Sequence, residues 1–249
     1  MQILGCRLDP VDSDEATARI LELARGNAAA QVITLGTEMV VYAQHDARFR
    51  SIVNSSALSL CDTVGLLAVA RHRKASLRAR VTGVELIEHL CAGAAAEELP
   101  VYFLGSAEGI AAEAAAKLQL RFPALRVAGT RSGYFHDDDS DAVAREIAAS
   151  GARLLFAGMG SPRQEYWLSE NLQKTGCGAG IGVGGSFDVI AGRIERAPDL
   201  VRRLGMEWLY RLAKEPWRWR RQLALPRFVM LVALDELGSR SARKGMVGL

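Results

Sequence analysis

One stretch constrains this chain more than any other: Arg153 to Asp188, RLLFAGMGSPRQEYWLSENLQKTGCGAGIGVGGSFD. An apolar run over 154–157 meets a Gly158-Met159-Gly160 bend, a helix is predicted over 162–174, and a second apolar run over 179–183 ends in Gly184-Gly185. Two glycine turns at the carboxyl ends of neighbouring parallel strands form a crevice. There a phosphate can approach glycine backbone and helix N-terminal N–H groups.

The same alternation runs through most of the chain. Strands are predicted over 31–35, 57–61, 100–104 and 126–129. The first helix is expected from Ser13 or Asp14 to Ala24, with Gly26 just past its end as a left-handed cap. A second starts near Glu38, with Met39, Val40, Ala43 and Ala47 as its apolar face, and a third covers 66–72. Thr82 with Glu85 has capping-box spacing for a helix reaching Ala96. Gly105 to Gly109 turns into a helix ending at Arg121, and its glycine spacing is GxxxG where the nicotinamide fingerprint has GxGxxG. After Asp188 only helices are expected, over 198–214 and 217–235 with a break at Pro216, and with fraying from Gly238 onward. The fold class is therefore α/β: a Rossmann-like, doubly wound, mostly parallel sheet over residues 1–195, with a C-terminal helical appendage over 196–249.

Charge is distributed unevenly. Residues 193–249 carry thirteen Lys and Arg against six Asp and Glu, whereas the preceding residues are net negative. No apolar run reaches the ~18 residues of a spanning helix. The nearest, 223–234, contains Pro226 and Arg227, and suits a bilayer surface or a core. Cys6, Cys61, Cys91 and Cys177 are widely spaced without a CxxC pair, which suits a reducing compartment and argues against a zinc site; the start of the chain reads as cytosolic, without a secretory signal.

An ordered set of short motifs carries a resemblance. They are Thr34-Leu35-Gly36-Thr37-Glu38-Met39, Asp62-Thr63-Val64-Gly65, Arg80-Val81-Thr82-Gly83, Gly133-Tyr134-Phe135, Gly158 to Glu165, Gly182 to Asp188, and Gly205 to Leu212. Each alone is weak, but together, from about Gln31 to Phe228, the chain resembles the WecG/TagA/CpsF family of bacterial glycosyltransferases. It differs from many members at Gly36, where Asn is common, and at Thr63, where Gly is common.

The resemblance implies an inverting, metal-independent transfer with no cofactor. The donor would be a UDP-sugar, of N-acetylmannosamine type, and the acceptor a polyprenyl-diphosphate-linked sugar. Such transfers serve cell-surface polysaccharide and teichoic acid synthesis, at the inner face of the membrane.

Asp62, at the end of a strand, is the candidate general base; its structural alternative is to cap the following helix. Thr34 and Thr37 are candidates for hydrogen bonding to donor or acceptor, although Thr37 equally suits a helix cap. Gln164 is implied to face the site, while Ser161-Pro162-Arg163-Gln164 also satisfies a capping box, and Arg163 is expected to be solvated. For the donor, Arg80 could grip phosphate in bidentate fashion, Gly184 and Gly185 admit the diphosphate, and Asp188 could accept from uracil or ribose. In the appendage, Arg211, with Arg218 and Arg221, is implied to neutralise departing UDP.

The aromatics among those arginines, including Trp208, Trp217 and Trp219, equally suit an anionic membrane surface. They also suit a nucleic-acid surface, but no helix-turn-helix, RRM or zinc pattern accompanies them, so no nucleic acid is expected. A homo-oligomer built on the amphipathic tail is open. The Asp137 to Asp141 run has DxD spacing, as a metal-dependent transferase would; helix capping is the favoured reading, and no metal site is assigned. A nicotinamide-dependent sugar oxidoreductase and a non-catalytic binding protein are the rival functions.

Overall fold

In the computed structural model, residues 1–77, 79–198, 201, 207–214 and 223–246 are described. Six strands form one parallel sheet in the order β4-β3-β8-β7-β5-β6: β3 (Ala30–Leu35), β4 (Leu58–Cys61), β5 (Val101–Gly105), β6 (Val127–Arg131), β7 (Leu154–Gly158) and β8 (Ala179–Gly182). All six coincide with predicted strands to within two residues. From β5 the chain moves outward to β6, whereas from β7 it moves the opposite way to β8. The direction of winding thus reverses between β5 and β7, and a doubly wound sheet opens a crevice at such a point.

Strands β4, β5, β7 and β8 are buried along their whole length because helices cover both faces. Alternate residues feed opposite cores. Leu154 and Phe156 join α1 (Ser13–Arg25), α5 (Gly83–Ala96), α6 (Ile110–Arg121) and α9 (Ser186–Ile190). Leu155 and Ala157 join α7 (Ser140–Ser150) and α8 (Arg163–Asn171). Further along the second face, Ile33 and Leu35 pack with α2 (Thr37–Tyr42), α3 (Ala47–Ser55) and α4 (Val64–His72). A C-terminal helix, α11 (Ala224–Met246), follows the short α10 (Glu207–Lys214) and adds Phe228 and Val232 to this core. Arg73, just past the end of α4, reaches Asp235 of α11 at 2.9 Å.

Several local expectations change. A small hairpin, β1 (Gln2–Ile3) and β2 (Cys6–Arg7), precedes α1; it turns at Leu4 and Gly5, both at positive φ, and buries Ile3 and Cys6 completely. Its two residues per strand are too short for the pattern to register. Gly26 is extended, not left-handed, with its N–H on the Glu22 and Leu23 carbonyls. The predicted helix through Ala47 is two helices: Asp46 accepts the Phe49 N–H at 2.9 Å and starts α3 afresh, leaving Ala47 exposed. Helix α11 continues past Gly238 to Met246, and Pro226 sits in its first turn, where a missing N–H costs nothing. Of the helix expected over 198–214, only Glu207–Lys214 can be described, because residues 199–200 and 202–206 lie outside the described residues.

Candidate active site

Four strand ends converge on a cavity of about 440 Å³. Thr34, Gly36 and Thr37 line it from the end of β3, Asp62 and Thr63 from β4, Gly160, Ser161 and Gln164 from β7 and α8, and Gly184 and Gly185 from β8. Arg80 enters because the Val81 N–H donates to the Cys61 carbonyl at 2.8 Å, holding the chain alongside β4, and it lines the same cavity as Asp62. Seven of the residues singled out from sequence therefore share one chamber.

Asp62 is half-buried in the wall, and Thr63, not Asp62, occupies the N-cap of α4. Its neighbour Cys61 is no nucleophile: burial, reinforced by the Asp62 carboxylate and opposed by Arg80, pushes the thiol up to about 12. Gly36 holds the N-cap of α2 and Thr37 is already helical, so the capping role considered for Thr37 falls away. Thr34 donates its hydroxyl to the Gly182 carbonyl at 2.8 Å, which leaves its lone pairs as the group available to a ligand.

Gln164 is 3% exposed yet borders the cavity, and both ends of its carboxamide are engaged. Its Oε1 accepts the N–H of Gly160 at 3.1 Å and of Gly184 at 3.0 Å, while Nε2 donates to Glu165 Oε1 at 2.7 Å. The expected capping box is replaced by this link. Helix α8 starts after Pro162, which follows a cis Ser161–Pro162 bond and has no side chain with which to cap. Arg163, expected to be solvated, instead clamps the Gly133–Phe135 loop. It donates to the Gly133 and Phe135 carbonyls at 2.7 Å each and lies 4.9 Å from the Phe135 ring centre.

Other candidates stand apart. Asp188 does not line the cavity; its Oδ2 accepts the Ser106 hydroxyl at 2.8 Å, beyond the Gly184-Gly185 turn and towards the end of β5. Arg218 and Arg221 lie outside the described residues, and Arg211 is described only as part of the α10 backbone. Asp137–Asp139 form a 3₁₀ turn, and Asp141 pairs with Lys174 at 2.7 Å. Among the described residues, no group of three or more His, Cys, Asp or Glu side chains is placed to hold a metal.

Sequence reasoning missed Arg196, which lines the cavity and pairs with Glu85 at 2.6 Å. Glu85 also accepts the Thr82 hydroxyl at 2.8 Å, so Thr82 holds the N-cap of α5 without a capping hydrogen bond. No local signal marks Arg196, since its place is set by contact with a helix 111 residues earlier. The run Gly180 to Gly185 has GxGxxG spacing, but two of its glycines serve helix packing. A β carbon at Gly180 would come within 2.6 Å of Leu172, and one at Gly182 within 2.6 Å of Gln164.

This chamber accords with what the chain matches among known proteins: the pattern of the glycosyl transferase WecG/TagA/CpsF family covers residues 1–242. The chain belongs to the WecG/TagA/CpsF family. The match extends beyond the 31–228 span on which the motifs were recognised. A relative from Bacillus spizizenii is 32% identical over 237 residues, covering 94% of this chain and 91% of its own length. Another, from Bacillus subtilis, is 29% identical over 212 residues, covering 85% and 82%. Both are named N-acetylglucosaminyldiphosphoundecaprenol N-acetyl-beta-D-mannosaminyltransferase. WecG/TagA/CpsF membership makes the chain a glycosyltransferase, which supports the transferase reading and not the oxidoreductase or non-catalytic alternatives. No helix among the described residues is long and apolar enough to cross a membrane.

Proposed function

We propose that this chain transfers an N-acetylmannosamine-type sugar from its UDP conjugate to a polyprenyl-diphosphate-linked N-acetylglucosamine. The observation that carries the reading is the meeting of Asp62, Arg80 and two glycine turns in one cavity, in a chain similar to transferases named for that reaction. The acceptor hydroxyl oxygen attacks the anomeric carbon while Asp62 takes its proton. The bond from that carbon to the diphosphate breaks, the electron pair leaves with UDP, and the single displacement inverts the configuration.

Arg80 and the N–H groups of the glycine turns face the diphosphate in this reading, and Thr34 and Thr37 accept hydrogen bonds from a sugar. Arg196 adds a second cation to the chamber. Arg211, Arg218 and Arg221 of the appendage neutralise the departing UDP. Asp188, held by Ser106, receives the uracil or ribose in the adjoining crevice.

The catalytic unit is residues 1–195, and 196–249 complete it at the inner face of the membrane. Support for that comes from α11: with Phe228 and Val232 buried, Met230, Leu234 and Leu237 are left exposed on the opposite side of the helix. An apolar stripe beside a basic segment suits an anionic bilayer.

The test is an assay of purified chain with UDP-N-acetylmannosamine and a short-chain polyprenyl-diphospho-N-acetylglucosamine in chelator. A disaccharide lipid with released UDP is expected; absence of product in the presence and absence of divalent cation would overturn the reading.

A further inference from the structure

Beneath the glycine turns lies a carboxyl group that the reaction above does not employ. Glu165, on α8, is 1% exposed. Its Oε1 accepts from Gln164 Nε2 at 2.7 Å, the Ser161 hydroxyl is close enough to favour the ionised carboxyl, and among the described residues Oε2 has no hydrogen-bond partner. A buried acid with an unsatisfied oxygen is costly in a core, so its presence calls for a physical reason.

The reason lies in the asymmetry of its neighbour. A carboxamide has one accepting and one donating end. Gln164 turns its oxygen to two N–H donors, on Gly160 and Gly184, and its NH₂ to Glu165. Rotated by half a turn, the amide would set its NH₂ against both glycine N–H groups and its oxygen against Glu165 Oε1. An apolar residue at 165 would remove half of that discrimination.

We propose that Glu165 is a positioning residue for the donor site: its Oε1 locks the Gln164 carboxamide in the one orientation that ties the Gly160 and Gly184 turns together, and so sets the spacing of the backbone on which the donor diphosphate rests. The inference depends on the reading of those turns as the donor site. Burial raises the affinity of the Glu165 carboxyl for its proton, against the hydrogen bonds from Gln164 and Ser161 and helped by Glu38 of the cavity wall.

Glu165→Leu and Glu165→Gln test this, by amide hydrogen exchange at Gly160 and Gly184 in the ligand-free chain and by calorimetric titration with UDP. Melting temperatures identify any variant that fails to fold. In E165L, exchange at both glycines rises and UDP binding weakens about tenfold, while E165Q, which still accepts from Gln164, stays within about threefold of wild type. Unchanged exchange in a folded E165L overturns the proposal. So does faster exchange with unchanged UDP affinity, since the turns would then be braced for some other purpose. Failure of wild type to bind UDP would refute the donor-site reading itself, while the exchange measurement still decides whether Glu165 orients Gln164.

Discussion

Gln164 Oε1 and the Gly184 N–H lie 3.0 Å apart although twenty residues separate them in the chain. With the Gly160 bond, this contact makes the two glycine turns of β7 and β8 into a single rigid rim of the cavity. Gln164→Ala would leave two backbone donors unpaired at a site where each lost partner costs about 1–3 kcal/mol. We expect KM for the UDP-sugar to rise at least about tenfold, with a smaller change in kcat, in steady-state assays. An unchanged KM would show that the rim does not hold the donor.

Asp62→Asn separates binding from chemistry. The amide keeps the shape of the wall but cannot take the acceptor proton, so kcat should fall by about 10²–10⁴ while calorimetric UDP affinity stays near that of wild type. Turnover within tenfold of wild type would remove Asp62 from the mechanism.

Glu165 makes stability depend on pH in a stated direction. Burial raises its proton affinity in the folded state above the ordinary value of 4.5. Below that value both folded and unfolded chains hold the proton; above it the unfolded chain releases the proton first, and folding loses stability until the folded pKa is passed. Glu165→Gln has no proton to lose. Its melting temperature should therefore gain on wild type as pH rises above 4.5, and a melting temperature that falls relative to wild type over that range would contradict this.

The two sides of α11 should respond differently to substitution. Replacing exposed Met230, Leu234 and Leu237 with Ser should leave the melting temperature within a few degrees and reduce sedimentation with anionic liposomes severalfold. Phe228→Ala removes a side chain only 1% exposed and should cost about 3–5 kcal/mol in denaturant titration. Equal liposome binding by the triple variant would remove this stripe from membrane association.

The alternation of strand and helix was legible in the chain because apolar runs and glycine punctuation are local signals, and all six sheet strands lie where those signals put them. The glycines at the ends of β7 and β8 likewise announced a crevice, and the ordered motifs announced the family. Strand order was not legible: the long jump that seats β7 beside β5, and β8 beside β3, depends on packing between residues far apart in sequence. Only tertiary structure gave Gln164, Arg163 and Arg196 their partners. It also placed Asp188 outside the cavity and paired it with Ser106, 82 residues earlier. A polar side chain carries no local mark of its partner, because hydrogen bonds are chosen from whatever the folded backbone brings within 3 Å or so. Sequence by itself thus determined the strands, their turns and the family; the fold decided the order of the strands and which polar groups meet, and that is what makes a cavity a site.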